Sequence, residues 1–293
     1  MSILFAALSL TFQDPAPPLP KVTPGQIVEA APDEAWRDVD PELLLLVDLE
    51  GGRRVVIELN PTFAPEHVAN IQSFARNAHW SGASVYRVQD NYVAQWGVGD
   101  EERRLPAGVS ERPAAEYVRP VSDLKVTGLG SSDSYASAAG FVDGWPVALY
   151  RDGTASLTHC YGTVGVGRGL DPETGSGSEL YAVIGHAPRH LDRNIAIVGR
   201  VIDGIEYLSS LPRGSEGLGM YAENETPVPI TRSVLAAMLQ EEPIPRYQVM
   251  REDSEAFARY LSVRANRNDD FYRVAAGGVD VCNVNVPVRR VDG

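Results

Sequence analysis

The chain is poor in cysteine, in basic charge and in long apolar runs, and each scarcity excludes a class of function. Only Cys160 and Cys282 occur in 293 residues. There is no Cys-x-x-Cys pair and no Cys/His cluster at zinc-ligand spacing, so no metal site is expected. The two thiols could pair in an oxidising compartment, and their separation along the chain neither supports nor excludes that bond. Lys and Arg number 26 against 39 Asp and Glu, a formal net charge of −13. Such a balance lacks the basic footprint that neutralises phosphates, which argues against nucleic acid and anionic lipid as partners. Beyond the N-terminus no stretch is long and apolar enough to form a transmembrane helix.

What remains is an ordinary globular composition. An apolar fraction of 44% supplies a sizeable core, and the length suits one large domain or two small ones. Residues 1–12, with the apolar run Ile3-Leu-Phe-Ala-Ala-Leu-Ser-Leu10, read as the core of a secretory signal peptide. No Lys or Arg precedes the run and no small-x-small cleavage site follows it. The competing reading is an ordinary buried or frayed segment. Export would make the protein periplasmic, with no membrane insertion once the signal is removed; otherwise it is cytoplasmic. Residues 13–41 begin with dense proline (Asp14-Pro-Ala-Pro-Pro-Leu-Pro20), which forbids helix and disfavours a sheet interior, and they read as an extended tether.

Order is expected from residue 42. The apolar run 43–49, the Gly51-Gly52 turn and Arg54-Val-Val-Ile-Glu-Leu59 read as a β-hairpin, with Val55, Ile57 and Leu59 on one face. Pro65 suits a first helical position and Glu66 its positive dipole end. Val68, Ile71, Phe74, Ala75 and Ala78 then recur at helical spacing up to His79-Trp80. Strands follow at 83–88 and 92–97, and again at 162–167, 179–184 and 195–201. A short helix is expected over 204–211 and a last barrel strand near 227–235. Residues 101–155 lack a clear period and read as an insertion into a domain spanning 42–239. The extension 240–293 differs in character, with an amphipathic helix over 253–267 and a strand over 279–288.

The stretch with most chemical content is Tyr86-Arg-Val-Gln-Asp-Asn-Tyr-Val-Ala-Gln-Trp-Gly97. An arginine in one strand is followed eight positions later by a glutamine in the next, and a hairpin can put both on one outer face. Arginine presents a rigid fork of donors, and glutamine offers a donor and an acceptor. Together Arg87 and Gln95 can hold a peptide group in a fixed orientation, with Tyr92 and Val93 walling an apolar slot.

These residues, with four other blocks in the same order, resemble the cyclophilin family. Arg54-Val-Val-Ile-Glu-Leu-Asn-Pro-Thr-Phe-Ala-Pro-Glu-His-Val-Ala-Asn70 is similar to that family's opening hairpin and first helix. The stretch from Tyr86 to Asp100 is similar to its Arg…Gln block. Gly162-Thr-Val-Gly-Val-Gly-Arg168, Ser176-Gly-Ser-Glu-Leu-Tyr-Ala-Val-Ile184, and Leu191-Asp192 with Ile197-Val-Gly-Arg-Val201 resemble the remaining three. The resemblance covers residues 42–235. It implies a mainly β fold, a closed eight-stranded antiparallel barrel capped by two helices, carrying here a C-terminal extension. It also implies peptidyl-prolyl cis-trans isomerase activity on exported or unfolded polypeptides, with proline-containing segments as substrates and no cofactor. Arg87 and Gln95 take the catalytic roles. Tyr86, Tyr92, Val93, Gly167, Glu179, Tyr181, His190 and Leu191 take the substrate-binding ones.

The sequence departs from the family where Glu179 replaces Gln, Tyr181 replaces Phe, His190 replaces Trp, Ile195 replaces His or Tyr, and Gly167-Arg168 replaces Ala-Asn. A Glu179–Arg87 ion pair that competes with substrate is expected from the first of these. The altered wall also supports an alternative: a catalytically weak module that binds proline-containing segments as a chaperone or scaffold. Other chemistry finds no footing. His159 and Cys160 are adjacent, so in a strand they point to opposite faces and make a poor dyad. Residues 169–178 lack the Lys of a phosphate loop, and there is no Gly-x-Ser-x-Gly elbow. The sequence gives no indication of oligomeric state.

Overall fold

The structure, a computed structural model, describes residues 21–98 and 104–291. The signal-peptide reading of 1–12 and the first part of the tether lie outside the described residues. In chain order the elements are α1 (Pro24–Glu29), β1 (Trp36–Asp38), β2 (Leu44–Leu49), β3 (Arg53–Leu59), α2 (Pro65–Arg76), β4 (Ser84–Val88) and β5 (Val93–Gly97). Five strands of the inserted segment follow: β6 (Arg119–Pro120), β7 (Thr127–Gly128), β8 (Ala138–Val142), β9 (Trp145–Leu149) and β10 (Thr154–Leu157). Then come β11 (Thr163–Val166), β12 (Leu180–Val183), β13 (Ile197–Asp203), α3 (Ile205–Ser209), β14 (Val228–Leu235), β15 (Tyr247–Met250), α4 (Glu255–Ala265) and β16 (Val288–Arg290).

Eight strands close into an antiparallel barrel in the order β11-β12-β5-β4-β14-β2-β3-β13. Closure leaves the barrel without a free sheet edge. Alternation along β3 sends Val55, Ile57 and Leu59 into the barrel core, where Val68, Ile71 and Phe74 of α2 and Leu208 of α3 join them. The helix α2 lacks a side-chain cap at Ala64. Instead Glu116, from the inserted segment, accepts from the backbone N–H groups of Glu66 (2.8 Å) and His67 (3.1 Å). A carboxylate there satisfies two orphan donors and faces the positive end of the helix.

Two readings are corrected outside the barrel. From Pro24 onward residues 13–41 are not an extended tether: they form α1, capped by Thr23 in a capping box, and β1, which pairs with β15. The cause is apolar content within the proline-rich stretch, since Ile27, Ala35 and Trp36 are buried with Phe257 and Tyr260 of α4. The extension likewise packs against the rest. Its β15 lies between β1 and β16 in a three-stranded sheet. The strand expected over 279–288 is a 3-10 turn at Val281–Asn283, and only Val288–Arg290 is extended.

The inserted segment forms a five-stranded sheet, order β6-β10-β9-β8-β7. Val142, Trp145, Val147 and Leu157 from it pack on Phe63 and Ile197 of the barrel domain. A buried charge cluster joins the parts. Glu58 of β3 accepts from Arg37 of β1 (2.7 Å) and from Arg200 of β13 (2.7 and 2.9 Å). The same two guanidiniums donate to the carbonyls of Asp143 and Gly144 in the β8–β9 turn. Cys160 and Cys282 form a disulfide, which ties the approach to β11 to the C-terminal extension.

Candidate functional site

Strict alternation along β4 would put Tyr86 and Arg87 on opposite faces. The register instead shifts between Val85, opposite Trp96, and Arg87, opposite Gln95. Tyr86 is the extra residue of a bulge, a device that re-aims side chains. Both it and Arg87 reach Gln95. Arg87 Nη1 donates to Gln95 Oε1 at 2.9 Å, and Gln95 Nε2 donates to the Tyr86 hydroxyl at 2.6 Å. The two ends of the amide are thus distinguished, and its orientation is set.

Arg87 is half-buried and firmly held. Its Nε donates to the Leu218 carbonyl (2.8 Å) and its Nη2 to Gln89 Oε1 (2.7 Å), and it lies 5.9 Å from the centre of the Tyr92 ring. The expected ion pair with Glu179 does not form. Glu179 accepts from the Tyr86 hydroxyl at 2.6 Å, because the bulge sets that phenol between the carboxylate and Gln95. Glycine at position 97 leaves room for this carboxylate, since a Cβ there would overlap it and force the Glu179 side chain to move.

An open cavity of about 300 Å³ lies beside Arg87 and Gln95. Tyr92, Val93, Gly167, Tyr181 and Leu191, each assigned to substrate binding by the resemblance, line it. Tyr86 and Glu179 do not line it: they stand behind Gln95 and act on it. His190 also lies outside the lining. It is exposed and stacks on Tyr92, with ring centres 6.3 Å apart. Arg168 and Ile195, read only as departures from a pattern, line the cavity as well.

Tyr181 forms a buried part of the wall, its ring lying over Gly165, where a Cβ would overlap the phenol. Its hydroxyl is 2.9 Å from His159 Nε2, and His159 Nδ1 is 2.9 Å from Asp192 Oδ1. Asp192 Oδ1 also accepts from the His159 backbone N–H, and Asp192 Oδ2 accepts from Arg189, which is paired in turn with Asp133 of the inserted segment. In the neutral ring this gives Nδ1 the proton and leaves Nε2 to accept from Tyr181. The sequence reading missed His159 because its neighbour Cys160 drew attention to a dyad; the Leu191-Asp192 block was the available signal. Burial pushes the Tyr181 phenol up, and burial with the Glu179 hydrogen bond does the same to Tyr86. Both shifts keep the phenols protonated near neutral pH. The site offers a rigid cation, an oriented amide and an apolar slot, which suits binding and orienting a peptide rather than nucleophilic attack.

Comparison with known proteins agrees with this arrangement. The family described as "Cyclophilin type peptidyl-prolyl cis-trans isomerase/CLD" matches residues 45–234. A "Probable peptidyl-prolyl cis-trans isomerase" of Brucella suis biovar 1 is 27% identical over 180 residues, covering 60% of this chain and 75% of that protein. "Peptidyl-prolyl cis-trans isomerase CYP23" of Arabidopsis thaliana is 29% identical over 163 residues, covering 54% of this chain and 57% of that one. The crystal structure of cyclophilin AquaCyp293 from Hirschia baltica superimposes with a TM-score of 0.71 at 27% identity, covering 92% of this chain and 97% of that chain. That coverage extends well beyond the barrel to the flanking sheets. With a family match over more than half its length and the barrel closed in the order described, the chain belongs to the cyclophilin-type peptidyl-prolyl cis-trans isomerases.

Proposed function

We propose that this cavity accelerates rotation about X-Pro bonds in polypeptide substrates, with Arg87 acting on the prolyl nitrogen and Gln95 holding the neighbouring peptide group. The observation that carries the reading is the convergence of Arg87, Gln95, Val93, Tyr181 and Leu191 on one open cavity. The uncatalysed rotation faces a barrier of about 18–20 kcal/mol, set by partial double-bond character in the amide. Twisting localises a lone pair on the prolyl nitrogen. A guanidinium aimed at that nitrogen therefore binds the twisted state better than the planar one, and the difference lowers the barrier. Val93, Leu191 and the Tyr181 ring supply the apolar pocket for the pyrrolidine. The hydrogen bonds to Leu218, Gln89 and Gln95 pre-organise the guanidinium.

The test is cis-trans exchange in a short Ala-Pro peptide, followed by nuclear magnetic resonance. The wild-type chain is expected to raise the exchange rate, and Arg87→Ala to lose about 10²–10³-fold, the usual effect of removing one transition-state donor. No acceleration by the wild type, with binding retained, would favour the binding-module reading. An Arg87→Ala chain at the wild-type rate would remove Arg87 from the mechanism.

The reading extends to unfolded or exported clients in a periplasmic setting. The Cys160–Cys282 disulfide supports an oxidising compartment. Cell fractionation with thiol trapping tests it: cytoplasmic protein with both thiols free would sink that part.

A further inference from the structure

Arg168 lines the same cavity as Arg87. Its guanidinium is clamped by backbone carbonyls only: Nε and Nη2 donate to Asn194 O at 3.1 and 3.0 Å, and Nη1 to Gly169 O at 2.8 Å. That leaves N–H groups on both terminal nitrogens for an incoming acceptor. Among the described residues neither Arg168 nor Arg87 has an ion-pair partner, although Arg37, Arg54, Arg189, Arg200 and Arg232 are all paired. In a chain of net charge −13, one cleft thus holds two guanidiniums that no carboxylate among the described residues pairs with. The nearby carboxylates are engaged elsewhere: Glu173 with Arg112, Asp192 with His159 and Arg189, Glu179 with Tyr86. Asp171, on the loop after Arg168, is exposed and forms no ion pair among the described residues. Both guanidiniums act on the Tyr181 phenol, drawing it down against burial, so both fields reach the cavity wall.

We propose that Arg168 makes this slot selective for X-Pro segments that carry a carboxylate beside the proline. The inference rests on the reading of the cavity as an X-Pro site and names the substrate class it prefers. A carboxylate one residue from the proline would meet a cation already held in place, with little side-chain entropy left to lose. Arg87 adds a second positive charge but is committed to the prolyl nitrogen, so discrimination falls to Arg168.

The experiment measures kcat/KM for peptides Ala-Xaa-Pro-Phe with Xaa as Glu, Gln or Lys, for the wild type, Arg168→Gln and Arg168→Lys. Comparing peptide ratios between enzymes cancels each peptide's own isomerisation rate. For the wild type the Glu-to-Gln ratio is expected about three- to fivefold above that of Arg168→Gln, the range of a half-exposed ion pair. Arg168→Lys should recover part of the excess, and 1 M salt should abolish it in the wild type. A structural role for Arg168 would change all three peptides together and leave the ratios alone. Equal ratios in wild type and Arg168→Gln overturn this proposal and leave the isomerase reading standing. No turnover of any peptide by the wild type overturns both.

Discussion

Glu58 lies on β3 with 3% of its surface exposed, between Arg37 from the N-terminal segment and Arg200 from β13. Burial works to raise its carboxyl, but the charges and hydrogen bonds of Arg200 and Arg37 outweigh it and hold the group below its ordinary value of 4.5. Glu58→Gln keeps the shape and removes the charge. Two guanidiniums are then left facing a neutral amide, with Arg200 buried against the Trp145 ring at 4.3 Å. Removing one partner of a buried ion pair costs about 3–5 kcal/mol. That is a large part of the roughly 5–15 kcal/mol that separates folded from unfolded protein. At about 2–4 °C per kcal/mol for a chain of this size, the melting temperature should fall by on the order of 10 °C at pH 7. The sign of the pH dependence follows from the lowered carboxyl. Its contribution is fully present above the ordinary carboxylate value and is lost as pH falls through that value and below it. The gap between wild type and variant, read by calorimetry, should therefore be widest near neutrality and narrow as pH falls from the ordinary carboxylate value through the lowered one. A variant melting within 2 °C of wild type at pH 7, or a gap that widens as the pH falls, would refute the assignment of Glu58 as the charge that joins the three parts.

Two further outcomes concern the wall of the slot and the cross-link. Tyr181→Phe keeps the ring but leaves His159 Nε2 without its hydroxyl, so it should cost about 1–3 kcal/mol in urea unfolding. It should change exchange of an Ala-Pro peptide by less than about threefold; a tenfold loss would mean that the hydroxyl itself acts on substrate. Replacing Cys160 and Cys282 together by serine opens a loop closed across 122 positions, with an expected loss of about 2–4 kcal/mol. An unchanged urea midpoint would show that the C-terminal extension is held by packing alone.

How far the sequence could be read depended on whether a residue's partners were near in sequence or supplied by a pattern. The helix α2 was legible because Pro65, Glu66 and the apolar spacing of Val68, Ile71 and Phe74 are local signals. Arg87 and Gln95 were legible from block order, and Tyr92, Val93 and Tyr181 followed. The Tyr86 bulge was not, because a one-residue register shift leaves no trace in alternation; it turned an expected Arg87–Glu179 pair into a Tyr86–Glu179 hydrogen bond. The run 43–49 carried a signal that was underused. A continuous apolar stretch such as Leu43 to Val47 implies cover on both faces. Leu45, Val47 and Leu49 fill the barrel, while Leu44 and Leu46 pack against Tyr247 and Val249 of β15. That second face demanded an outside layer, and the terminal segments provide it. Their pairing is remote in sequence, so no local period announced it.

The strand β15 is gripped on one side by a strand that precedes the barrel and on the other by the last strand described. A chain trimmed to the stretch shared with its family, residues 45–234, would lose all three strands. It would bare the greasy outer flank of the first barrel hairpin, strip Arg37 from Glu58 and leave Cys160 without its mate. In this protein the flanking segments are the missing half of the barrel's own packing, and a trimmed version should come out of the cell as aggregate.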